Sequence, residues 1–340
     1  MKLKVLLVLS VIIMIALPAV AMKVIMVTDV GGLGDKSFND GTWEGIVKAA
    51  DFLGLEKEVV QSKEQADYIP NLSNAAREAD IIFAVGFMMT DALYKVAPQF
   101  PDTYFVGIDI DPGDMFADNV STYLFKEQEG AFLAGYVAAA VTKANMVGFI
   151  GGIPIPPVER FRYGYEAGIR VYEELHGKTI SVLQGYTMDF NDPKKGKDLA
   201  IAQFAEGADI VFHASGACGN GVIEAAAEKG PGFFAIGVDV DQDYMAPGRV
   251  LTSSMKRIDM ASYQAVMSVA LGTFTPGVKV LGIIDEGVGI SPMKYTKDVV
   301  GPVVLSEVDF LKGQIKAGVI VVPDTQEKLD AFEVPAITLP

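Results

Sequence analysis

Two pairs of aspartates stand at matching positions, each directly after an apolar run that predicts a β-strand. Asp109 and Asp111 follow one run, and Asp239 and Asp241 follow another. Carboxylates that face a cleft accept hydrogen bonds from sugar hydroxyls or from the N–H groups of a base. We expect Asp109 and Asp239 to contact a ligand, whereas a role as helix or turn caps explains Asp111 and Asp241 equally well.

The glycine-rich segment 31–40 carries one aromatic side chain, Phe38, among polar residues. Ser37, Asn39 or Asp40 is placed to cap a following helix. The glycine spacing matches neither a dinucleotide-binding fingerprint nor a phosphate-binding loop, and an ordinary strand–turn–helix junction is the alternative. Because aromatic rings at a cleft edge stack on planar ligands, Phe38 is the candidate ligand contact of this segment.

Three further strand ends carry aromatic or glycine residues. Phe87 follows an apolar run, and Phe190 lies between polar residues after another. Gly216 belongs to a glycine-rich stretch that opens a helix, where backbone N–H groups can bind an anion or a carbonyl group. A tightly packed turn explains Gly216 equally well.

Residue types that support enzyme chemistry are sparse in this sequence. Its histidines are His176 and His213, and its one cysteine, Cys218, is best explained as a small packing residue. Neither metal-ligand spacing nor a Gly-x-Ser-x-Gly motif is present, so we expect no enzyme activity, no metal and no cofactor. An acid–base reaction at His213 is the alternative, and a buried structural histidine is favoured over it.

Short apolar runs alternate with amphipathic segments along the chain, which predicts parallel strands covered by helices on both faces. The predicted strands are Val24–Thr28, Ile81–Gly86, Tyr104–Asp109, Val120–Phe125, Val147–Gly151, Ile180–Gln184, Ile210–His213, Phe233–Asp239 and Val319–Val322. The alternation runs through two successive sets, and 340 residues exceed the usual size of one core. The fold class is therefore α/β, with two doubly wound parallel-sheet lobes joined by a hinge.

The predicted lobe boundaries follow from two crossing points. Lobe 1 comprises residues 22–125 plus about 256–278, and lobe 2 comprises residues 126–255 plus about 279–340. Ligands of open α/β sheets bind outside the carboxyl ends of the strands, so the cleft between the lobes is the expected site.

The first residues predict export. Lys2 and Lys4 precede an apolar run, and the small residues Ala19 and Ala21 form a cleavage pattern, so residues 1–21 are predicted to be a signal peptide cleaved near Ala21. An uncleaved anchor is the alternative, although the apolar run is shorter than a bilayer span. Because no cysteine lies near the cleavage site, the protein is expected not to be a lipoprotein. The net charge of −15 argues against nucleic acid as a partner.

Several of these segments together resemble the basic membrane protein family, purine-nucleoside-binding components of ABC transporters with the type I periplasmic-binding-protein fold. The resemblance covers essentially the whole chain after the signal peptide. Its segments are Gly31–Asn39, Glu127–Tyr136, Gly148–Gly152, Gly216–Val222 and Gly237–Gln242.

The resemblance implies roles for individual residues. Phe38 and Phe190 would sandwich a purine, Asp109 would bind the base, and Asp239 would hold the ribose hydroxyls, with Lys256 as a further ribose contact. The remaining candidate contacts of the predicted site are Asp35, Asn39, Phe87 and Gly216.

The predicted function is an extracytoplasmic solute-binding protein of an ABC importer. Its partners would be a purine nucleoside such as adenosine, guanosine or inosine, and the transporter's membrane permease. A receptor for a flavin, another nucleoside or a pentose, feeding a transporter or a sensor kinase, is the alternative. An exported nucleoside hydrolase is less favoured, because Asp29, Asp35 and Asp40 lack the density of a calcium-binding cluster.

Overall fold

The computed structural model describes residues 22–340, so the predicted signal peptide lies outside the described residues. Within them, the strands form two six-stranded sheets. The strands are β1 (Lys23–Thr28), β2 (Glu56–Gln61), β3 (Ile81–Val85), β4 (Tyr104–Ile108), β5 (Val120–Phe125), β6 (Met146–Gly151), β7 (Ser181–Tyr186), β8 (Ile210–Ala214), β9 (Phe234–Asp239), β10 (Val250–Lys256), β11 (Gly277–Leu281) and β12 (Val288–Ile290).

Helices cover both faces of each sheet. They are α1 (Phe38–Leu53), α2 (Tyr68–Ala75), α3 (Thr90–Val96), α4 (Glu127–Val141), α5 (Pro156–His176), α6 (Pro193–Glu206), α7 (Cys218–Lys229), α8 (Ile258–Ala270), α9 (Lys297–Val300), α10 (Pro302–Lys316) and α11 (Gln326–Asp330). None of the helices in residues 22–340 combines the length and the apolar character needed to cross a bilayer.

The two sheets share one topology. The first has the order β11-β5-β4-β3-β1-β2 and the second has the order β12-β10-β9-β8-β6-β7. Every pairing is parallel except that of β10 with β12. The predicted α/β class with two doubly wound sheets is confirmed. We call each sheet with its covering helices a lobe.

Burial on both sheet faces explains why continuous apolar runs became strands. Along β1, Val24 and Met26 pack into one core with Ile46 of α1, whereas Ile25 and Val27 pack into another with α2. A strand covered on both sides has no solvent face, so its sequence does not alternate.

Three chain segments connect the lobes. The chain passes from β5 to α4, returns from β10 to α8, and passes again from β11 to β12. Backbone hydrogen bonds tie these crossings together, since Lys126 N donates to Leu281 O at 2.9 Å and Arg257 N donates to Gly287 O at 2.8 Å. Strand β11 pairs with β5 as far as Leu281. The lobe boundaries predicted from the sequence stay a prediction.

The segment Val319–Val322 is not a strand, contrary to the sequence prediction. It follows Gly318, which has a φ of 72°, and its first two N–H groups, of Val319 and Ile320, still donate to Gln314 O at the end of α10. Ile320 and Val322 are buried, whereas Val319 and Val321 are exposed. The alternation is therefore real, but the segment joins neither sheet and packs its apolar side against the core.

Candidate functional site

All nine residues of the predicted site line one cleft between the lobes. It contains about 590 Å³ of space free of protein atoms, part of it open to solvent. Its lining includes the predicted Asp35, Phe38, Asn39, Phe87, Asp109, Phe190, Gly216, Asp239 and Lys256. Their roles in binding stay a prediction.

The cleft lies where each sheet reverses its strand order. In the first lobe, Asp29 follows β1 and Phe87 follows β3, and these two strands are neighbours at the reversal. In the second lobe, Gly216 follows β8, which neighbours β6 at the equivalent reversal. The loops diverge at such a point and leave a crevice between them.

Asp35 caps helix α1 with both carboxylate oxygens. Oδ1 accepts from Ser37 N at 3.0 Å and from Asp40 N at 3.1 Å, and Oδ2 accepts from Asn39 N at 2.8 Å. The sequence prediction named Ser37, Asn39 or Asp40 as the cap, but Asp35 binds the free N–H groups instead. Burial raises the pKa of Asp35 to about 6.

Asn39 links the cap to Asp29, a cleft residue that the sequence prediction missed. Its Nδ2 donates to Asp29 Oδ1 at 3.2 Å, and its buried Oδ1 has no partner within residues 22–340. Asp29 lies directly after β1, so the strand-end argument applied to Asp109 and Asp239 would also have found it. Burial raises the pKa of Asp29 to about 6.

Asp109 and Asp239 occupy equivalent positions in the two lobes. Both have left-handed backbone conformations, with φ of 57° and 63°. Such conformations are strained for residues other than glycine and concentrate at functional sites. Each aspartate also has a buried Oδ1 without a partner in the described part of the chain. Burial raises the pKa of both residues to about 6.

Lys256 is a buried cation at the hinge end of the cleft. Its ammonium binds Asp109 and lies 3.1 Å from Glu127 Oε1. It also lies 5.1 Å from the ring centroid of Phe38 and 5.6 Å from that of Phe161, within cation–π range. Neighbouring carboxylates raise the pKa of Lys256 despite its burial, so the ammonium stays charged.

Glu127 and Arg160 complete this charged cluster, and the sequence prediction did not include either. Arg160 Nε donates to Glu127 Oε2 at 2.7 Å. The two cations lower the pKa of Glu127 although burial opposes them. Glu127 begins α4 and Arg160 lies in α5, so no local sequence signal connects them with Lys256.

Glycines make room for the aromatic wall of the second lobe. A Cβ on Gly152 would lie 2.1 Å from Phe190 Cε1, and one on Gly216 would lie 3.1 Å from Phe190 O. Ala217 N donates to Phe190 O at 2.8 Å. The close packing holds Phe190 at the cleft. It also favours the packed-turn explanation of Gly216 that the sequence left open.

Helix α5 contributes apolar lining that the sequence prediction missed. Pro157, Val158 and Phe161 face the cleft from its first turns, together with the preceding Ile155. Ser215 lines the same cleft, and its buried Oγ has no partner among residues 22–340. The position of Ser215 after β8 would have identified it, whereas the apolar residues of α5 resemble any core helix in sequence.

His213 is buried outside the lining of the cleft. Its Nε2 lies 3.0 Å from Gln242 Oε1, and burial lowers its pKa to about 4. It is therefore neutral at pH 7, in agreement with a structural role. Within residues 22–340, histidine, cysteine and carboxylate side chains form no group suited to a metal ion.

The geometry supports non-covalent binding of a flat molecule rich in hydrogen-bond donors. Acceptor oxygens of Asn39, Asp109 and Asp239 have no partner within residues 22–340, and these residues line one cleft together with aromatic side chains. A buried acceptor without a partner is unfavourable, so donors on a ligand gain free energy by pairing with it.

Both a sequence relative and a protein of known crystal structure are similar to this chain. Basic membrane protein B of Borreliella burgdorferi is 34% identical, with 91% of this chain and 90% of the relative covered. The crystal structure of an ABC transporter solute-binding protein from Aeropyrum pernix K1 is 31% identical, with a TM-score of 0.80, and covers 91% of this chain and 96% of its own. The proteins named here are solute-binding or membrane proteins by description, not enzymes.

The prediction that the protein is not a lipoprotein is wrong. A relative from Pyrococcus abyssi, 35% identical with 78% of this chain and 68% of the relative covered, is named an uncharacterized lipoprotein. Relatives from Pyrococcus horikoshii and Pyrococcus furiosus carry the same description. The prediction rested on the absence of a cysteine near Ala21, a position that lies outside the described residues.

A family model matches nearly the whole of the described chain. Residues 22–326 match the model described as ABC transporter substrate-binding protein, PnrA-like. This match agrees with the resemblance in sequence and with the two-lobed fold. The chain therefore belongs to the basic membrane protein family of PnrA-like ABC transporter substrate-binding proteins.

Proposed function

We propose that this protein is the extracytoplasmic receptor of an ABC importer and captures a purine nucleoside between its lobes. One observation carries the choice of ligand. Asn39, Asp109 and Asp239 line one cleft with the rings of Phe38 and Phe190, and each of the three has an acceptor oxygen without a partner among residues 22–340. A purine nucleoside offers a flat ring for stacking and both N–H and O–H donors for these oxygens.

The charges of the cleft also favour a nucleoside over a nucleotide. Four carboxylates, Asp29, Asp35, Asp109 and Asp239, line the cleft directly, and Lys256 is already bound to Asp109 and Glu127. A phosphate group would meet buried negative charge without a cation left to pair with it. We therefore expect inosine to bind and inosine monophosphate not to bind.

Thermal-shift measurements with inosine, guanosine, adenosine, riboflavin and ribose test the ligand class. A purine nucleoside should raise the melting temperature more than ribose does, because only the nucleoside engages the aromatic pair. A larger shift with riboflavin or ribose would contradict the proposal. Mass spectrometry of the solute that co-purifies provides an independent identification.

Calorimetry on Phe38→Leu tests the stacking contact. Loss of one stacked ring should weaken inosine binding by about 5- to 150-fold, since stacking on a base contributes roughly 1–3 kcal/mol. Phe52→Leu is the matched control, because Phe52 is 72% exposed and lies outside the cleft lining. Equal affinities of the two variants would exclude Phe38 from the binding site.

The hydrolase alternative has a direct test. Incubation of the pure protein with inosine should leave the nucleoside intact, as measured by chromatography. Release of hypoxanthine would contradict a receptor without enzyme activity.

A further inference from the structure

Hydrogen bonds join the lobes at one edge of the cleft, next to the proposed ligand contact Asp239. Gln242 Nε2 of the second lobe donates to Lys36 O of the first lobe at 3.0 Å. Ser37 Oγ of the first lobe donates to Asp239 Oδ2 of the second lobe at 2.6 Å. Gln242 and Ser37 are both completely buried. We call Lys36, Ser37, Asp239 and Gln242 the interlobe latch.

The second lobe determines which way the amide of Gln242 points. Its Oε1 accepts from Val238 N at 2.9 Å and lies 3.0 Å from His213 Nε2. Because the neutral His213 donates through Nε2, two donors hold the oxygen. A flipped amide would place its NH₂ group against both donors. The nitrogen of Gln242 is thereby directed at the first lobe before the lobes meet.

The bond from Ser37 orients a ligand-facing carboxylate. It occupies Oδ2 of Asp239, whereas Oδ1 has no partner within residues 22–340. The backbone on both sides of the latch is left-handed, with φ of 54° at Lys36 and 63° at Asp239. Such conformations persist only where surrounding contacts hold them. Contact between the lobes therefore completes the arrangement of Asp239.

We propose that Gln242 and Ser37 are positioning residues that hold the lobes together over the bound solute and orient Asp239 toward it. The benefit of the latch rests on the proposed function, because slower reopening would lengthen the life of the complex between protein and solute. The contact itself concerns the two lobes alone, and it can be tested without any ligand.

Hydrogen exchange of Gln242→Glu tests the latch in the protein as purified. The glutamate retains an acceptor for Val238 and His213 but places an oxygen opposite Lys36 O. We expect backbone exchange in segment 34–41 of the first lobe to become at least about tenfold faster, because opening exposes that segment. The substitution is then in the second lobe, and its effect on hydrogen exchange is measured in the first.

Gln203→Glu is the matched control. Gln203 is also buried, and its Nε2 donates to the backbone oxygen of Phe149 at 3.1 Å, within the second lobe. Its substitution should leave exchange in segment 34–41 at the wild-type rate. Unchanged exchange there in Gln242→Glu would overturn the proposal, as would equal acceleration in Gln203→Glu.

Ser37→Ala provides a second, milder variant should Gln242→Glu fail to fold. It deletes one hydroxyl, and Ser262→Ala is its control, since the buried Oγ of Ser262 has no partner within residues 22–340. We expect faster exchange at residues 238–242 of the second lobe in Ser37→Ala, and wild-type exchange there in Ser262→Ala. Wild-type exchange at those residues in Ser37→Ala would overturn the latch.

Stopped-flow measurements with inosine provide the functional readout. Both latch variants should raise the dissociation rate about tenfold and change the association rate less than twofold, because the latch forms after encounter. Failure of wild-type protein to bind inosine would count against the proposed nucleoside, and hydrogen exchange would still decide the latch. An unchanged dissociation rate in both variants would contradict a role in retaining solute.

Discussion

At the scale of single residues, burial gives the cleft carboxylates a pH dependence opposite to that of an ion-paired surface carboxylate. Burial raises the pKa of Asp239 from 3.8 to about 6. Between these values the folded state binds the proton and the unfolded state does not, so stability increases as the pH falls through the window. His213 acts in the opposite sense, since its pKa falls from 6.5 to about 4 on folding.

Comparison of wild-type protein with Asp239→Asn isolates the carboxylate, because His213 is present in both. Between pH 7.5 and pH 4, the wild type should gain on the order of 2–3 kcal/mol in unfolding free energy relative to the variant. Urea denaturation across this range measures the difference. Parallel pH profiles would show that Asp239 has an ordinary pKa in the folded state.

Solute binding should respond to pH in the other direction. In the proposed complex, ionised Asp109 and Asp239 would accept hydrogen bonds from the ligand, and protonation would remove acceptor capacity. We expect the affinity for inosine to fall as the pH decreases below about 6, where both carboxyl groups titrate. Calorimetry between pH 7.5 and pH 5 measures this, and a constant affinity would contradict ionised carboxylates at the ligand.

Lys256 illustrates how much a buried charge depends on its partners. Lys256→Met should lower the unfolding free energy by about 3–5 kcal/mol, because Asp109 and Glu127 would lose a cation they share. Lys194→Met is the control, since Lys194 pairs with Asp198 on the exposed surface. Denaturation should show no change for the control, whereas a similar loss in both variants would rule out the buried cluster as the cause.

At the scale of elements, glycines allow α4 and α5 to pack with their backbones in close approach. A Cβ on Gly168 would lie 2.0 Å from the backbone oxygen of Phe132, and one on Gly164 would lie 2.1 Å from that of Gln128. Neither oxygen can move without shifting a helix. Because α5 carries Phe161 and Arg160, this contact positions part of the cleft.

Gly168→Ala should therefore destabilise the protein by about 1–3 kcal/mol or more through overpacking. Gly313→Ala in α10 is the matched control, since a Cβ there meets no atom within 4 Å. The control should be more stable by about 0.5–1 kcal/mol because alanine favours helix. Thermal unfolding measures both, and stabilisation of Gly168→Ala would show that the helices separate easily.

At the scale of the whole molecule, the three crossings between lobes form the only backbone links among residues 22–340 that a hinge motion must bend. They lie side by side, joined by the hydrogen bonds of Lys126 and Arg257. Short neighbouring connections of this kind permit one lobe to rotate against the other while each sheet stays rigid.

Small-angle scattering tests this motion. Saturation with inosine should decrease the radius of gyration of the protein, because closure brings the lobes together. Inosine monophosphate, which we expect not to bind, serves as the control solute. An unchanged radius with bound inosine would indicate a cleft that captures solute without hinge motion.

The sequence by itself determined the class of fold and predicted about half of the residues that line the cleft. Buried parallel strands read as unbroken apolar runs, so β1, β3 and β4 were visible, and the residues directly after them were candidates by position. The edge strand β2, with charged residues and a half-exposed pattern, escaped prediction because it lacks such a run. Asp109 and Asp239 could be predicted because their signal, a position at the end of an apolar strand, is local.

Only the tertiary structure decided which distant side chains meet. Glu127 of α4 pairs with both Lys256 and Arg160 of α5, and Gln242 reaches Lys36 across the lobes. Asp35, whose contact with ligand stays a prediction, lines the cleft and also caps α1 with both its oxygens. Periodicity and strand ends report on neighbours along the chain. Pairings between residues more than a hundred positions apart depend on how the lobes pack, because the same local pattern permits many partners until the backbone is folded.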